Sequence, residues 1–467
     1  MWFVFAPPPR TDDPVVDDRV LSRDACRALA TRVFAMAEGG GSTRLGIEGR
    51  WTSNMRWAKN RFTTAGETWQ TDLDIVRTIR GAQGHAGINA LDDAALRECV
   101  RRAEALRVWT PESPDNYPDP LPTVHPFLQP SLWYDRTVAP DPAVRVEAAE
   151  RLMASAISAE CESAGYVEVA GRGRGLVTTE GFFRYYPFTT VQASLTVRDP
   201  AHRGSGWAGV DWNDWSRLDV SALAQTALDK CQQSRNPVAV EPGRYTTLLE
   251  PQAVHDLLSP LVGMALYRSS AEQGEGPFAD PARPGWSRIG QRVMDRRVTL
   301  SADPMDPECG FVPFDENGEP YQAVSWVESG VLRALSYGRE YGLRMLGSDR
   351  ALPNPRAYRM RGGDTTIEQM IAGTTRGILV TRFGDVSVMD WSSMLSLGTT
   401  RDGVWLIERG KISKPLMNLR FVESSMFVLN NIEALGTPRR VFSPNATAVV
   451  PPLLVRDFSF TGLSDAV

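Results

Sequence analysis

The 467-residue chain carries a formal net charge of −5, with 42% hydrophobic and 23% charged residues. These are the proportions of a globular chain long enough for two or three domains and a large core. They leave no basic surplus, so a nucleic-acid partner is not expected. The apolar N-terminal run is cut by Pro7, Pro8 and Pro9 and lacks a basic start, too short for a signal peptide. No apolar run reaches about 18 residues, so neither a transmembrane helix nor a membrane partner is expected. The five cysteines, Cys26, Cys99, Cys161, Cys231 and Cys309, are odd in number and contain no CxxC pair. Reduced thiols in a cytoplasmic protein fit that pattern.

In chain order, residues 20–38 read as a helix that Ser22 or Asp24 can cap and that Gly39, Gly40 and Gly41 stop. Short strands follow at 43–48, 54–58, 61–67 and 72–79, then a helix over 92–106 capped by Asp92. This makes an N-terminal α/β domain at 20–109. Residues 110–142 hold nine prolines and read as an ordered surface strap or linker. A helix at 143–164, strands at 166–170, 175–179, 182–189 and 192–198, and a helix at 218–233 form a middle α+β domain at 143–236. The remainder, 240–467, reads as β-rich. Its strands include 244–249, 297–301, 323–328, 377–382, 403–408, 421–429 and 453–460, with helices at 251–267 and 366–373. Asn317-Gly318, Ser329-Gly330 and Arg409-Gly410 are hairpin-type turns. The fold class is therefore α+β, with a large antiparallel sheet or open barrel around a central helix.

Few short motifs carry chemistry. Gly204, Gly206 and Gly209 match GxGxxG, but a polar-aromatic stretch follows instead of a helix, so a turn is expected rather than a nucleotide site. Gly171, Gly173 and Gly175 lack a following GK[ST] and also read as a hairpin turn. The histidines His85, His125, His202 and His255 are too far apart for a local metal pair. His255 precedes Ser259 by one helical turn, an arrangement that could activate a serine. A helix-surface histidine is the blander reading.

The helix at 251–267 is the most informative segment. Val254, Leu257, Leu258, Leu261, Val262, Ala265 and Leu266 fall at helical spacing on one buried face. Pro260 sits in its third turn, where it removes a backbone hydrogen bond and predicts a kink. This segment resembles the central helix of the TldD/PmbA metallopeptidase family. So do the strand-turn-strand stretches at 297–303, 314–320, 327–332, 376–384 and 405–415, in that order.

The resemblance implies several things. In the family's catalytic branch this helix carries His-Glu-x-x-x-His, and a cysteine near the C-terminus completes the metal site. The aligned residues here are Ser259, Pro260, Leu261, Val262, Gly263 and Met264, and no cysteine follows Cys309. Ser259, Pro260 and Met264 thus mark a degenerate metal site. The joint absence of ligands resembles the non-catalytic PmbA (TldE) branch. It implies a chain without catalytic residues or cofactor of its own, with zinc only in a TldD-like metal-bearing sister subunit. The implied substrate is an extended peptide, with Phe383 and Trp391 as groove-lining candidates. The alternatives are a homodimeric peptide- or ligand-binding protein, and an enzyme of altered chemistry at Ser259 or His255.

Overall fold

The computed structural model describes residues 20–109, 127–139, 141–200, 204–444 and 446–464. Most of the proline-rich stretch lies outside the described residues.

Helix α1 (Arg23–Ala35) is capped by the Ser22 hydroxyl, which accepts from the Ala25 amide, and it buries Cys26, Leu29, Ala30 and Val33. It leads into β1 (Ser42–Ala58) and β2 (Arg61–Ile79), a hairpin paired from Ser42↔Thr78 to Ala58↔Arg61. Lys59 and Asn60 turn it, both with positive φ, as the two-residue hairpin turn demands. Four short strands expected here are thus two long ones. The residues between them, 49–53 and 68–71, keep the backbone pairing, and 49–53 also bury Trp51, Thr52 and Ser53. β3 (Ala82–Ile88) and α2 (Asp93–Leu106) complete this part.

Residues 127–139 run back across the sheet. The Thr189 amide donates to the Leu132 carbonyl, and Tyr186 donates its hydroxyl to the Pro130 carbonyl. The short α3 (Asp135–Val138) and then α4 (Pro142–Ser158) follow, then β4 (Glu162–Thr178), β5 (Phe183–Arg198), β6 (Ser205–Trp212) and α5 (Val220–Gln233). β4 pairs with β1, so one six-stranded sheet in the order β3-β2-β1-β4-β5-β6 runs through both stretches that the sequence divides at 110–142.

Apart from Gly204, which immediately precedes β6, the glycines of both motifs lie inside strands, a correction to the expected turns. In β4, a Cβ on Gly171 would come within 2.7 Å of Val20, and one on Gly173 within 3.1 Å of the Leu21 carbonyl. The chain entering α1 lies flat on that glycine stripe. In β6, a Cβ on Gly206 would meet the Ala227 carbonyl at 2.1 Å, because α5 crosses the strand in direct backbone contact. These glycines serve close packing, not a turn or a phosphate.

The C-terminal part holds β7 (Gly243–Leu249), α6 (Pro251–Pro260), β8 (Leu300–Ala302), β9 (Val324–Glu328), β10 (Val331–Leu332), β11 (Tyr358–Met360), β12 (Arg376–Asp390), β13 (Leu395–Glu408), β14 (Lys411–Pro415), β15 (Leu419–Ser424), β16 (Ile432–Leu435), β17 (Arg439–Arg440), β18 (Ala448–Val450) and β19 (Leu453–Leu463). Five strands close on themselves as β12-β7-β19-β15-β13, because β13 also pairs with β12. The expected open barrel is therefore a closed ring, and β7 lies parallel to β12. A ring of five strands is too narrow to enclose a helix. α6 packs against its wall instead, sharing a core with Ile378, Val380, Phe383, Val404, Phe421 and Phe458. A second sheet, β10-β9-β8-β11-β18-β17, flanks the ring. The turns at Ser329-Gly330 and Arg409-Gly410 have positive φ at both residues and join β9 to β10 and β13 to β14 as expected.

Candidate functional site

Pro251 stands in the first turn of α6, where its missing N–H is no loss. Ala253, Val254, Leu257 and Leu258 then bury the inner face. At Pro260 the regular helix ends, since no N–H is available for the Asp256 carbonyl. Leu261–Ala265 continues as a π-turn. The expected kink is thus a change of helical pitch. It holds Leu261, Val262 and Ala265 in the core. The freed carbonyls find partners: Asn354 Nδ2 donates to Val262 at 2.7 Å, and the Ser336 amide and hydroxyl both donate to Leu266 at 2.7 Å.

The π-turn decides which residues share a face. An i→i+5 turn brings residues five apart into line. Ser259 is exposed, Pro260 is half-buried and Met264 is 47% exposed, so the three degenerate positions lie together on the outer side of the helix. They offer one hydroxyl, one ring and one thioether. Among the described residues, no three His, Cys, Asp or Glu side chains are grouped to hold a metal ion.

His255 and Ser259 do not form a pair. His255 is buried, 6% exposed, and its Nδ1 lies 2.9 Å from the Tyr358 hydroxyl with the two rings stacked. Burial pushes the imidazole down to about 4 and the Tyr358 hydroxyl well up. Both are neutral at pH 7, in the core and facing away from Ser259. Asp256, which no sequence argument singled out, accepts from Gln252 Nε2 at 2.9 Å and from the Phe383 amide at 2.8 Å. It ties α6 to β12, and burial pushes its carboxyl up to about 6. An acidic residue inside an apolar helix was the available signal. The five cysteines are free and buried, and burial pushes the Cys309 thiol up to about 12, which makes it a poor nucleophile.

The two groove candidates separate. Phe383 is 2% exposed and packs on Phe421 and Phe458, so it belongs to the core of the ring rather than to a groove. Trp391 is 43% exposed at the turn between β12 and β13, close to Met389 and Leu397, which are 59% and 40% exposed. Sequence periodicity could not show this patch, because those strands alternate between core and solvent only beyond Gly384.

A concavity of about 630 Å3 opens where the two halves meet. Trp207 lines it beneath the Arg382 guanidinium, 4.3 Å from the ring centre. Lys230 of α5 pairs with Glu250 at 2.7 Å, just ahead of α6. Arg440 reaches Asp211 at 3.2 Å and stacks on Trp212. These contacts fasten the six-stranded sheet and α5 to the barrel and its flanking sheet.

This arrangement can be compared with known proteins. Residues 242–462 match the model of the PmbA/TldA metallopeptidase C-terminal domain, the stretch that holds the ring, α6 and the flanking sheet. That stretch belongs to the TldD/PmbA family. A metalloprotease TldD homolog of Haemophilus influenzae is 27% identical over 271 residues, 54% of each chain. A metalloprotease of Archaeoglobus fulgidus is 38% identical over 60 residues, 14% of its length. The chain thus spans about half or less of the curated relatives that it matches. Among solved structures, TldE from Thermococcus kodakarensis superposes with a TM-score of 0.79 at 15% identity, covering 93% of this chain and 99% of that one. A candidate modulator of DNA gyrase from Bacteroides thetaiotaomicron gives 0.80 at 18% identity, over 95% and 100%. At such identities the superpositions establish the fold, across both halves. Among the described residues, no helix is long and apolar enough to cross a membrane.

Proposed function

We propose that this chain is the metal-free, non-catalytic subunit of a TldD/TldE-type heterodimeric metallopeptidase acting on unfolded or extended peptides. A TldD-like sister subunit holds the zinc and does the chemistry, and this chain helps to enclose and present the peptide. The observation that supports this reading most is the outer face of the kinked α6. There Ser259, Pro260 and Met264 occupy the positions that resemble the metal-binding ones, and none is a zinc ligand of the usual His, Cys or carboxylate kind. The exposed apolar patch of Met389, Trp391 and Leu397 supports peptide contact beside strands that an extended chain can join. The cleft between the halves favours a second reading, a homodimeric peptide- or ligand-binding protein without protease activity.

A tagged pull-down from the native host, with partner identification and metal analysis, separates the two. A stoichiometric sister chain carrying His-Glu-x-x-x-His and about one zinc per pair is the expected result. A metal-free complex containing only this chain overturns it in favour of the second reading.

A further inference from the structure

We infer that Arg50, Arg172 and Arg174, on the open face of the six-stranded sheet, form a binding site for a carboxylate borne by an extended peptide. Even-numbered residues of β1 and β4 share that face, since the register sets Arg50 opposite Arg172 and Glu48 opposite Arg174. Odd-numbered ones such as Leu45, Ile47 and Trp51 are buried on the other side. The three guanidinium groups are partly open to solvent: Arg50 is half-buried, and the side chains of Arg172 and Arg174 are 20% and 34% exposed. Beside them Phe188 and Tyr186 of β5, opposite Arg172 and Arg174, are buried with Leu132 and Phe314. Arg44, on the same face, donates to Asn317, so this face looks toward the 314–320 turn of the C-terminal half.

The charges of this cluster do not balance within the chain. Like charges directly opposite each other on paired strands are destabilising, yet Arg50 faces Arg172. Among the described residues, Arg50 makes no hydrogen bond or ion pair. Glu48 is the only carboxylate there within 4.0 Å of the three, and it is shared, at 4.0 Å from Arg172 and 3.6 Å from Arg174. Glu48 itself faces Asp72 of β2, a second like-charge pair. Arg172 Nε is buried without an acceptor. Burial holds the Arg172 guanidinium below its usual range against the pull of Glu48 and Glu168, and Arg50 and Arg174 add to the effect. A carboxylate seated among the three guanidinium groups supplies the missing charge, and its two oxygens match their planar fork. Glu48 and Asp72 stand in the same patch and repel a doubly charged phosphate more than a single carboxylate. The inference rests on the peptide reading above and adds that the peptide carries an acidic side chain or a free C-terminus at this point.

The test is fluorescence anisotropy on the chain as purified from its native host, with any subunit it carries. Three dye-labelled unfolded peptides share one neutral sequence: a C-terminal amide, the same peptide with a free C-terminus, and the amide with two internal glutamates. One or both carboxylate-bearing peptides should bind about tenfold more tightly than the neutral amide, and which of them does so identifies the source of the carboxylate. Arg50→Gln and Arg174→Gln should each bring that peptide down to the affinity of the neutral one. Glu48→Gln should act in the opposite sense and widen the preference, because it frees Arg172 and Arg174 from their internal partner. A variant that has lost its fold cannot bind more tightly, so this change separates charge recognition from a structural role. Equal binding of the three peptides overturns the inference and leaves the peptide reading standing. So does a preference that survives both arginine changes. Binding of none of the three overturns the peptide reading and this inference with it.

Discussion

The Nδ1 atom of His255 lies 2.9 Å from the hydroxyl of Tyr358, and the two rings stack with their centres 5.9 Å apart. Both are buried, so each supplies a hydrogen-bond partner that water cannot replace. Tyr358→Phe should therefore cost about 1–3 kcal/mol, the penalty for leaving a buried polar group unsatisfied. His255→Phe combined with Tyr358→Phe should cost less than the sum of the two single changes. Urea unfolding at pH 7 checks both. Strict additivity would show that the pair is not coupled.

His255 and Asp256 are consecutive, and burial shifts them in opposite directions, to about 4 and about 6. For the histidine, whose pKa is lowered, stability is complete above the unfolded value of about 6.5 and is lost as pH falls towards 4. For the aspartate, whose pKa is raised, stability is complete below about 3.9 and is lost as pH rises through 6. The two slopes oppose each other across the same window. Asp256→Asn keeps an acceptor for the Phe383 amide, sets its NH2 against Gln252 Nε2 at a cost that pH does not change, and removes the aspartate's slope. Relative to the parent, the variant should thus gain about 1–3 kcal/mol between pH 4 and pH 8. Urea midpoints at the two pH values decide. A gain of the same size at both would refute the titration argument.

The helices were legible because their signals are local: Ser22 and Asp92 cap where expected, and the apolar spacing of 251–262 is the buried face of α6. The tight turns were legible for the same reason. The closure of the barrel was not, because it depends on β13 pairing with both β12 and β15. Nor was the continuity of the N-terminal sheet, which rests on β1 meeting β4 across the proline-rich stretch. At the candidate site, the buried face of Leu257, Leu258, Leu261 and Val262 followed from helical spacing, whereas the alignment of Ser259 with Met264 depends on the π-turn at Leu261–Ala265. The burial of Phe383 did not, because it depends on Phe421 and Phe458 from two distant strands. The glycine motifs misled because a glycine needed for close approach has the same sequence signature as one needed for a turn.

Gly206 tests that last distinction. A Cβ there would sit 2.1 Å from the Ala227 carbonyl and 2.4 Å from the Cys231 amide nitrogen, both backbone atoms of α5. The helix must move for alanine to fit. Gly206→Ala should therefore destabilise the fold by about 1–3 kcal/mol. Gly66→Ala, where nothing lies within 4 Å, should leave stability nearly unchanged. Thermal unfolding of the two variants side by side gives the answer. Equal effects would mean that α5 does not press on β6.

Phe383 and Trp391 were paired as groove candidates, and the structure gives them different physical roles that substitution can separate. Phe383 is packed among Phe421 and Phe458, and its amide is held by Asp256. Phe383→Ala removes a ring from a close-packed core and should cost about 3–5 kcal/mol of stability, whatever the chain binds. Trp391 is 43% exposed, so Trp391→Ala should change stability by less than about 0.5 kcal/mol. If the patch it shares with Met389 and Leu397 receives an extended peptide, the loss of an anchoring ring should weaken peptide binding by about tenfold. Fluorescence titration of an unfolded model peptide against the parent chain and the Trp391→Ala variant, with or without the sister subunit, measures this directly. Unchanged affinity in the Trp391→Ala variant would place the peptide away from the β12–β13 turn and make the cleft beside Trp207 the next surface to test.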